Sequence, residues 1–157
     1  MSLPVENVQD YPRPPALEIV PQHLSAWFAD TQIVATNRAY RVLETHHAPT
    51  YYIPLSDVSE GVLQPVPGRS FCEWKGMASY FDLVLAGRRM RKAAWTYSSP
   101  TAKFSALVDH VAIYAHALDR AFVGEELVTP QPGDFYGGWV TSNLKGIVKG
   151  GPGTEGW

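Results

Sequence analysis

Along residues 38–45 the chain alternates: Tyr40, Val42 and Glu44 fall on one side of an extended backbone, and Ala39, Arg41, Leu43 and Thr45 on the other. Phe81, Leu83 and Leu85 repeat the two-residue period within residues 79–85. That period suits strands with one buried face and denies an α-helix a continuous apolar stripe. Prolines and glycines, thirteen of each in 157 residues, interrupt the chain too often for long helices, whereas eight tyrosines and five tryptophans favour strands. The expected fold is mainly β: a single compact domain of short antiparallel strands with at most short helical turns. A chain of this length buries enough surface to need neither a disulfide nor a metal for stability.

Pro4, Pro12, Pro14 and Pro15 make residues 1–16 an extended, proline-rich N-terminal arm. The single β domain is expected over residues 17–149, followed by a glycine-rich tail with a mobile tip over 150–157. Strands are predicted at 17–20, 24–29 and 32–36, with Asp30-Thr31 turning between the last two. Residues 51–55 form another strand, and Pro54, which lacks a ladder N–H, places it at an edge or a bulge. Pro65, Pro67 and Gly68 predict a loop. Residues 79–85 and 92–97 read as a hairpin joined at Gly87-Arg88-Arg89, with the charge run 87–92 as a solvated tip or, alternatively, an anion or partner contact. Residues 104–118 fit both periods, so a helical turn is placed at 104–108 and a strand at 110–114.

The densest local chemistry is Ser70-Phe71-Cys72-Glu73-Trp74-Lys75-Gly76, which sets the only cysteine, a carboxylate, an indole and an ammonium side by side. A nearby cation turns a thiol into a nucleophile by stabilising its thiolate, and Lys75 is close enough in sequence to serve. The simpler reading, and the favoured one for Cys72, is a small buried hydrophobe, with Trp74 a core aromatic and Lys75 a solvated strand end. Glu44, on a half-apolar strand face, is either a polar strand end or a site carboxylate partnered by Lys75 or Arg41. His110 opens a strand, where a structural hydrogen bond competes with a role as base. His46 and His47 are adjacent, so in an extended segment they point apart and make poor joint metal ligands.

The formal net charge of −2, with basic residues spread along the chain, argues against a non-specific grip on nucleic acid. No apolar run approaches the ~20 residues a membrane span needs. One cysteine makes no intrachain disulfide, and without a leader-like segment the expected location is the cytoplasm. No cofactor or metal is expected, and self-association into a homo-oligomer is left open.

Several blocks occur in a characteristic order: Arg41-Val42-Leu43-Glu44-Thr45, Tyr51-Tyr52-Ile53-Pro54, Phe71-Cys72-Glu73-Trp74-Lys75-Gly76, Ala93-Ala94-Trp95, His110-Val111-Ala112, Gly133-Asp134-Phe135-Tyr136-Gly137-Gly138-Trp139 and Gly150-Gly151-Pro152-Gly153-Thr154. From about Ala26 to Trp157 the chain resembles the bacterial domain-of-unknown-function family 427, in its long form with the glycine-rich tail. The resemblance implies a β-tent architecture and no settled activity. β-tent relatives often hold zinc with four paired cysteines, a site Cys72 alone cannot build. A nucleotidyltransferase-like name is sometimes attached to the family, but nucleotidyl transfer needs clustered carboxylates for magnesium, and no Asp-x-Asp pair occurs here.

Two functional classes remain open. In one, the domain acts on a small molecule, with Cys72, Lys75, Glu44 and His110 as the catalytic candidates. In the other, it binds a cyclic or nucleoside-like ligand, or a protein partner, without turnover and with Cys72 purely structural. For either, Trp74, Trp95, Tyr51, Tyr52, Arg41 and Tyr136 are the candidate ligand contacts, because aromatics dominate small-molecule pockets. Glu44, Cys72, Trp74, Lys75 and Trp95 are expected around one cleft.

Overall fold

The alternating segments become strands in a computed structural model that describes residues 3–133 and 135–154. In chain order these are β1 (Glu6–Asn7), β2 (Ala16–Ile19), β3 (Leu24–Phe28), β4 (Thr31–Thr36), β5 (Tyr40–Leu43), β6 (Thr50–Pro54), β7 (Leu63–Cys72) and β8 (Gly76–Leu85). They continue with β9 (Arg88–Thr96), β10 (His110–Ile113), β11 (Arg120–Val123), β12 (Glu126–Leu127), β13 (Thr129–Pro130), β14 (Trp139–Val140) and β15 (Leu144–Lys145). The helical segments among the described residues are short 3-10 turns, the longest Ala102–Leu107. The protein is a single mainly β domain.

Two antiparallel sheets form the body, without a closed barrel. The long sheet has the order β2-β5-β6-β10-β9-β8-β7 and the short one β12-β11-β3-β4. Their facing sides make the main core: Leu24, Ala26, Phe28, Ile33 and Val34 meet Ile53, Leu83, Ala94, Val111 and Ile113, all fully or almost fully buried. Burying each of the larger side chains contributes about 1.5–3 kcal/mol. A second, smaller core lies on the other side of the long sheet, where Val42, Tyr52, Ala78, Tyr97 and Ala112 pack with Phe104 and Leu107 of the 102–107 turn. The long sheet thus buries both faces over part of its area, and the remainder of its outer face stays open.

Several local expectations shift. The β3–β4 turn falls at Ala29-Asp30, both at positive φ (51° and 59°), one residue earlier than the composition suggested. β6 is an interior strand between β5 and β10, not an edge: Pro54 is its last residue, paired with His110, and the ladder resumes when Leu55 N–H donates to the Asp109 carbonyl at 2.9 Å. The missing N–H is tolerated because it falls where the chain leaves the sheet.

Pro65, Pro67 and Gly68 belong to β7, not to a loop. β7 is the outermost strand, and a register shift between Val66 and Arg69 steps over Pro67 and Gly68. Prolines and bulges protect an edge from adding further strands. Gly87 lies in the hairpin turn, and residues 88–92 of the run are strand; they stay largely exposed, as a solvated tip would, but Arg88 pairs with Asp119 at 2.8 Å and Arg89 with buried Asp82 at 2.6 Å.

The described parts of both terminal segments pack. Val8 and Tyr11 of the N-terminal arm are buried against Leu43, and β1 pairs in parallel with β15. The glycine-rich tail folds back through buried Thr154, whose hydroxyl accepts from the Gly150 N–H at 3.0 Å. The last residues of that tail, 155–157, and Asp134 of the 133–139 block lie outside the described residues.

Candidate functional site

Alternation divides the aromatic residues of the long sheet between its two faces. In β6, Tyr51 and Ile53 turn into the main core while Thr50 and Tyr52 turn outward. Tyr80 of β8 pairs with Trp95 of β9, and Trp95 in turn with Ala112 of β10. Trp95, Tyr97, Ala78 and Tyr80 therefore extend the outward row begun by Tyr52.

These residues floor an open cavity of about 360 Å³. Ser70 and Cys72 of the edge strand form one side, and Lys75 enters from the three-residue turn that joins β7 to β8. Glu44 and His47 come from the turn after β5, closed by the His47 N–H donating to the Glu44 carbonyl at 3.0 Å. Tyr114 and the segment from Phe135 to Gly138 complete the wall. That segment is anchored by the Tyr114 hydroxyl, which donates to the Phe135 carbonyl at 3.1 Å, and by Gly137 packed closely against the Cη2 edge of the Trp95 ring.

The floor is neutral and hydrogen bonded. The hydroxyl of Tyr52 meets the Trp95 indole and the Tyr97 hydroxyl, and burial raises both phenols above the ordinary tyrosine value, so they stay protonated. Ser70 and Tyr80 share a hydroxyl hydrogen bond of 2.5 Å at the rim. Lys75 Nζ stands 5.8 Å from the Tyr97 ring centre and 6.0 Å from that of Phe104, close enough for weak cation–π contact. Glu44 pairs with Arg13 of the N-terminal arm at 3.5 Å, not with Lys75 or Arg41. Burial pushes the His47 imidazole below the ordinary histidine value.

Of the residues singled out from the sequence, Glu44, Cys72, Lys75, Tyr52, Trp95 and Tyr136 line this one cavity. Cys72 is half-buried on the wall, whereas the favoured sequence reading made it a buried core residue. Trp74 packs against the second core without lining the cavity, and its carbonyl accepts from Thr101 at 2.6 Å. Tyr51 and Arg41 occupy the opposite side of the sheet, where Arg41 holds Glu6 and Glu18 at 3.1 and 2.8 Å. Alternation places them there, since each neighbours an outward residue. His110 lies away from the cavity: its Nδ1 is 2.8 Å from the Val108 carbonyl, and its ring meets the edge of Tyr40.

Residues not proposed as site groups also line the cavity, among them His47, Tyr97 and Tyr114. Tyr97 was accessible to the two-residue period, being two positions beyond Trp95. His47 was not, because it lies in a turn whose residue His46 adopts a positive φ of 66°. Among the described residues, no group of three or more His, Cys, Asp or Glu side chains is placed to hold a metal ion. Nor is any helix among them long and apolar enough to cross a membrane.

No curated protein matches the chain. Residues 16–124, which span the long sheet, the short sheet except β12, and the cavity floor, match the family model described as a domain of unknown function, DUF427. The chain therefore belongs to the DUF427 family.

Proposed function

We propose that the open part of the long sheet's outer face binds a small cyclic molecule, in a protein of the cytoplasm. The supporting observation is convergence: Tyr52, Trp95 and Tyr136 share a single cavity with Glu44, Cys72 and Lys75, although these residues come from five separate segments. An aromatic floor with a few polar groups at its margin is the usual composition of a small-molecule site. A volume of about 360 Å³ restricts the ligand to the size of a single ring system with substituents.

Thermal melting against a metabolite library tests this reading, because a ligand that binds only the native state raises the melting temperature. At a concentration near 100 times its dissociation constant it adds about 2.7 kcal/mol of stability. The expected result is a stabilising ring compound whose effect disappears in Trp95→Ala. Failure of every ring compound at millimolar concentration, or an undiminished effect in that variant, overturns the reading.

One observation favours turnover as a second reading. The Cys72 thiol is half-buried, not sealed, and borders the same cavity as the Lys75 ammonium. A cation beside a thiol favours thiolate attack on an electrophilic substrate. If so, iodoacetamide labels Cys72 in the folded protein, and Lys75→Ala slows labelling several-fold. Equal rates in the two proteins would leave Cys72 a wall residue.

A further inference from the structure

The His47 ring is held by one side chain whose own orientation is over-determined. Gln131 is buried, and its backbone N–H donates to the Gly138 carbonyl at 3.1 Å. Its side-chain Oε1 accepts from the Ala48 N–H at 3.2 Å, and its Nε2 donates to the Lys149 carbonyl at 2.9 Å. A backbone N–H only donates and a carbonyl only accepts, so these two bonds fix which end of the amide is nitrogen. The approach is also tight: a Cβ on Gly138 would stand 2.1 Å from Oε1, so no side chain fits there. Nε2 has a second N–H, and its partner is His47 Nδ1 at 3.2 Å. Nδ1 must then accept, which leaves the ring proton on the other nitrogen.

We propose that Gln131 holds His47 as a neutral imidazole protonated on Nε2, so that His47 is a fixed hydrogen-bond donor of the cavity and selects ligands carrying an oxygen acceptor beside Lys75. Gln131 is the positioning residue and His47 the contact. The ligand-class part rests on the small-molecule reading above; the tautomer does not. A ring with its proton already on Nε2 is a donor at that atom, not a base. The class this favours is a planar ring bearing a carboxylate or carbonyl, which the aromatic floor would take by its face and His47 and Lys75 by its oxygen.

The surroundings also oppose a second proton on the ring. Of the charged groups facing His47, Glu44 alone favours the imidazolium, while Lys149, Arg13 and Lys75 oppose it together with burial, the largest single influence. A proton on Nδ1 would face the Gln131 N–H, and turning the amide to relieve it would break the bonds to Ala48 and Lys149.

Nitrogen-detected NMR of the folded protein, with His47→Asn to assign the signal, tests the first part without any ligand. The expected result is the Nε2–H tautomer, neutral throughout the ordinary histidine range. A proton on Nδ1, or an imidazolium at neutral pH, overturns the proposal. In Gln131→Leu the preference should relax and the titration midpoint rise; should that variant not fold, the wild-type spectrum still decides. Titration with nicotinate, nicotinamide and 3-(aminomethyl)pyridine then tests the ligand class. Nicotinate should shift the His47 Nε2 resonance and bind about tenfold more weakly to His47→Ala. The cationic amine binding as well as nicotinate, or nicotinate binding without moving His47, overturns the selection for an oxygen acceptor. The expected tautomer with no ring compound bound would instead count against the small-molecule reading.

Discussion

Gly137 lies against Trp95 so closely that a Cβ on it would come within 2.1 Å of the indole Cη2. A single methyl there must displace either the ring or the 135–138 segment. Gly137→Ala is therefore expected to destabilise the protein by about 1–3 kcal/mol, as overpacking does, and to move the Trp95 emission. Urea unfolding followed by fluorescence checks both, and an unchanged midpoint would contradict the contact. A second residue ties charge to stability. Asp82 is buried, and its carboxyl is held below the ordinary aspartate range, first by the Lys92 backbone N–H and then by Arg89. With the folded value depressed, the unfolded chain takes up the proton first. This stabilisation is complete above the ordinary value of about 3.9 and is lost as pH falls through the lower folded value. Unfolding measured from pH 6 to 2.5 should show a shallower acid loss in Asp82→Asn than in the wild type. Parallel curves would rule Asp82 out as a source.

At the level of single elements, the period of two identifies strands better than it identifies their ends. It assigns Tyr40, Val42 and Glu44 to one face and separates Tyr52 from Tyr51 and Ile53, because a strand's side chains alternate whatever its neighbours are. Turn residues and prolines are less decisive. Ala29 and Asp30 adopt the left-handed region that glycine occupies at no steric cost, a conformation the tight β3–β4 connection requires. Asp30→Gly should consequently stabilise the hairpin by about 1 kcal/mol, readable as a higher melting temperature. A lower one would show that the Asp30 side chain contributes more than its backbone costs. Pro54 and Pro65 misled for one reason: a proline removes a donor only where that donor would have been used. Pro54 stands at the last position of an interior strand and Pro65 on the outermost one.

Across the whole molecule, the C-terminal stretch from 125 onward closes what the two sheets begin. Trp139 is wholly buried in the main core, donates its indole N–H to the Ile113 carbonyl at 2.9 Å and lies 5.4 Å from the Tyr51 ring. Trp139→Ala should cost about 3–5 kcal/mol, the range for deleting a core aromatic. Trp139→Phe should recover much of that and leave the buried Ile113 carbonyl unpaired. Equal losses in the two variants would place the stabilisation in the hydrogen bond instead of the packing. Gln131 and the 135–138 wall lie on the same stretch, beyond the residues that match the family model, so the cavity combines matched and unmatched parts of the chain.

The sequence by itself determined the class of structure and the sidedness of its strands, since alternation and turn chemistry are properties of neighbouring residues. It also marked the dense block from Ser70 to Gly76, and with it Cys72 and Lys75. Only the tertiary structure decided that β6 is interior, that the outer face of the long sheet opens into a cavity, and that His47 is oriented by Gln131, eighty-four positions away. Pairing order and the meeting of distant side chains depend on contacts with no local period. Burial and hydrogen-bond satisfaction, summed over the folded chain, select them.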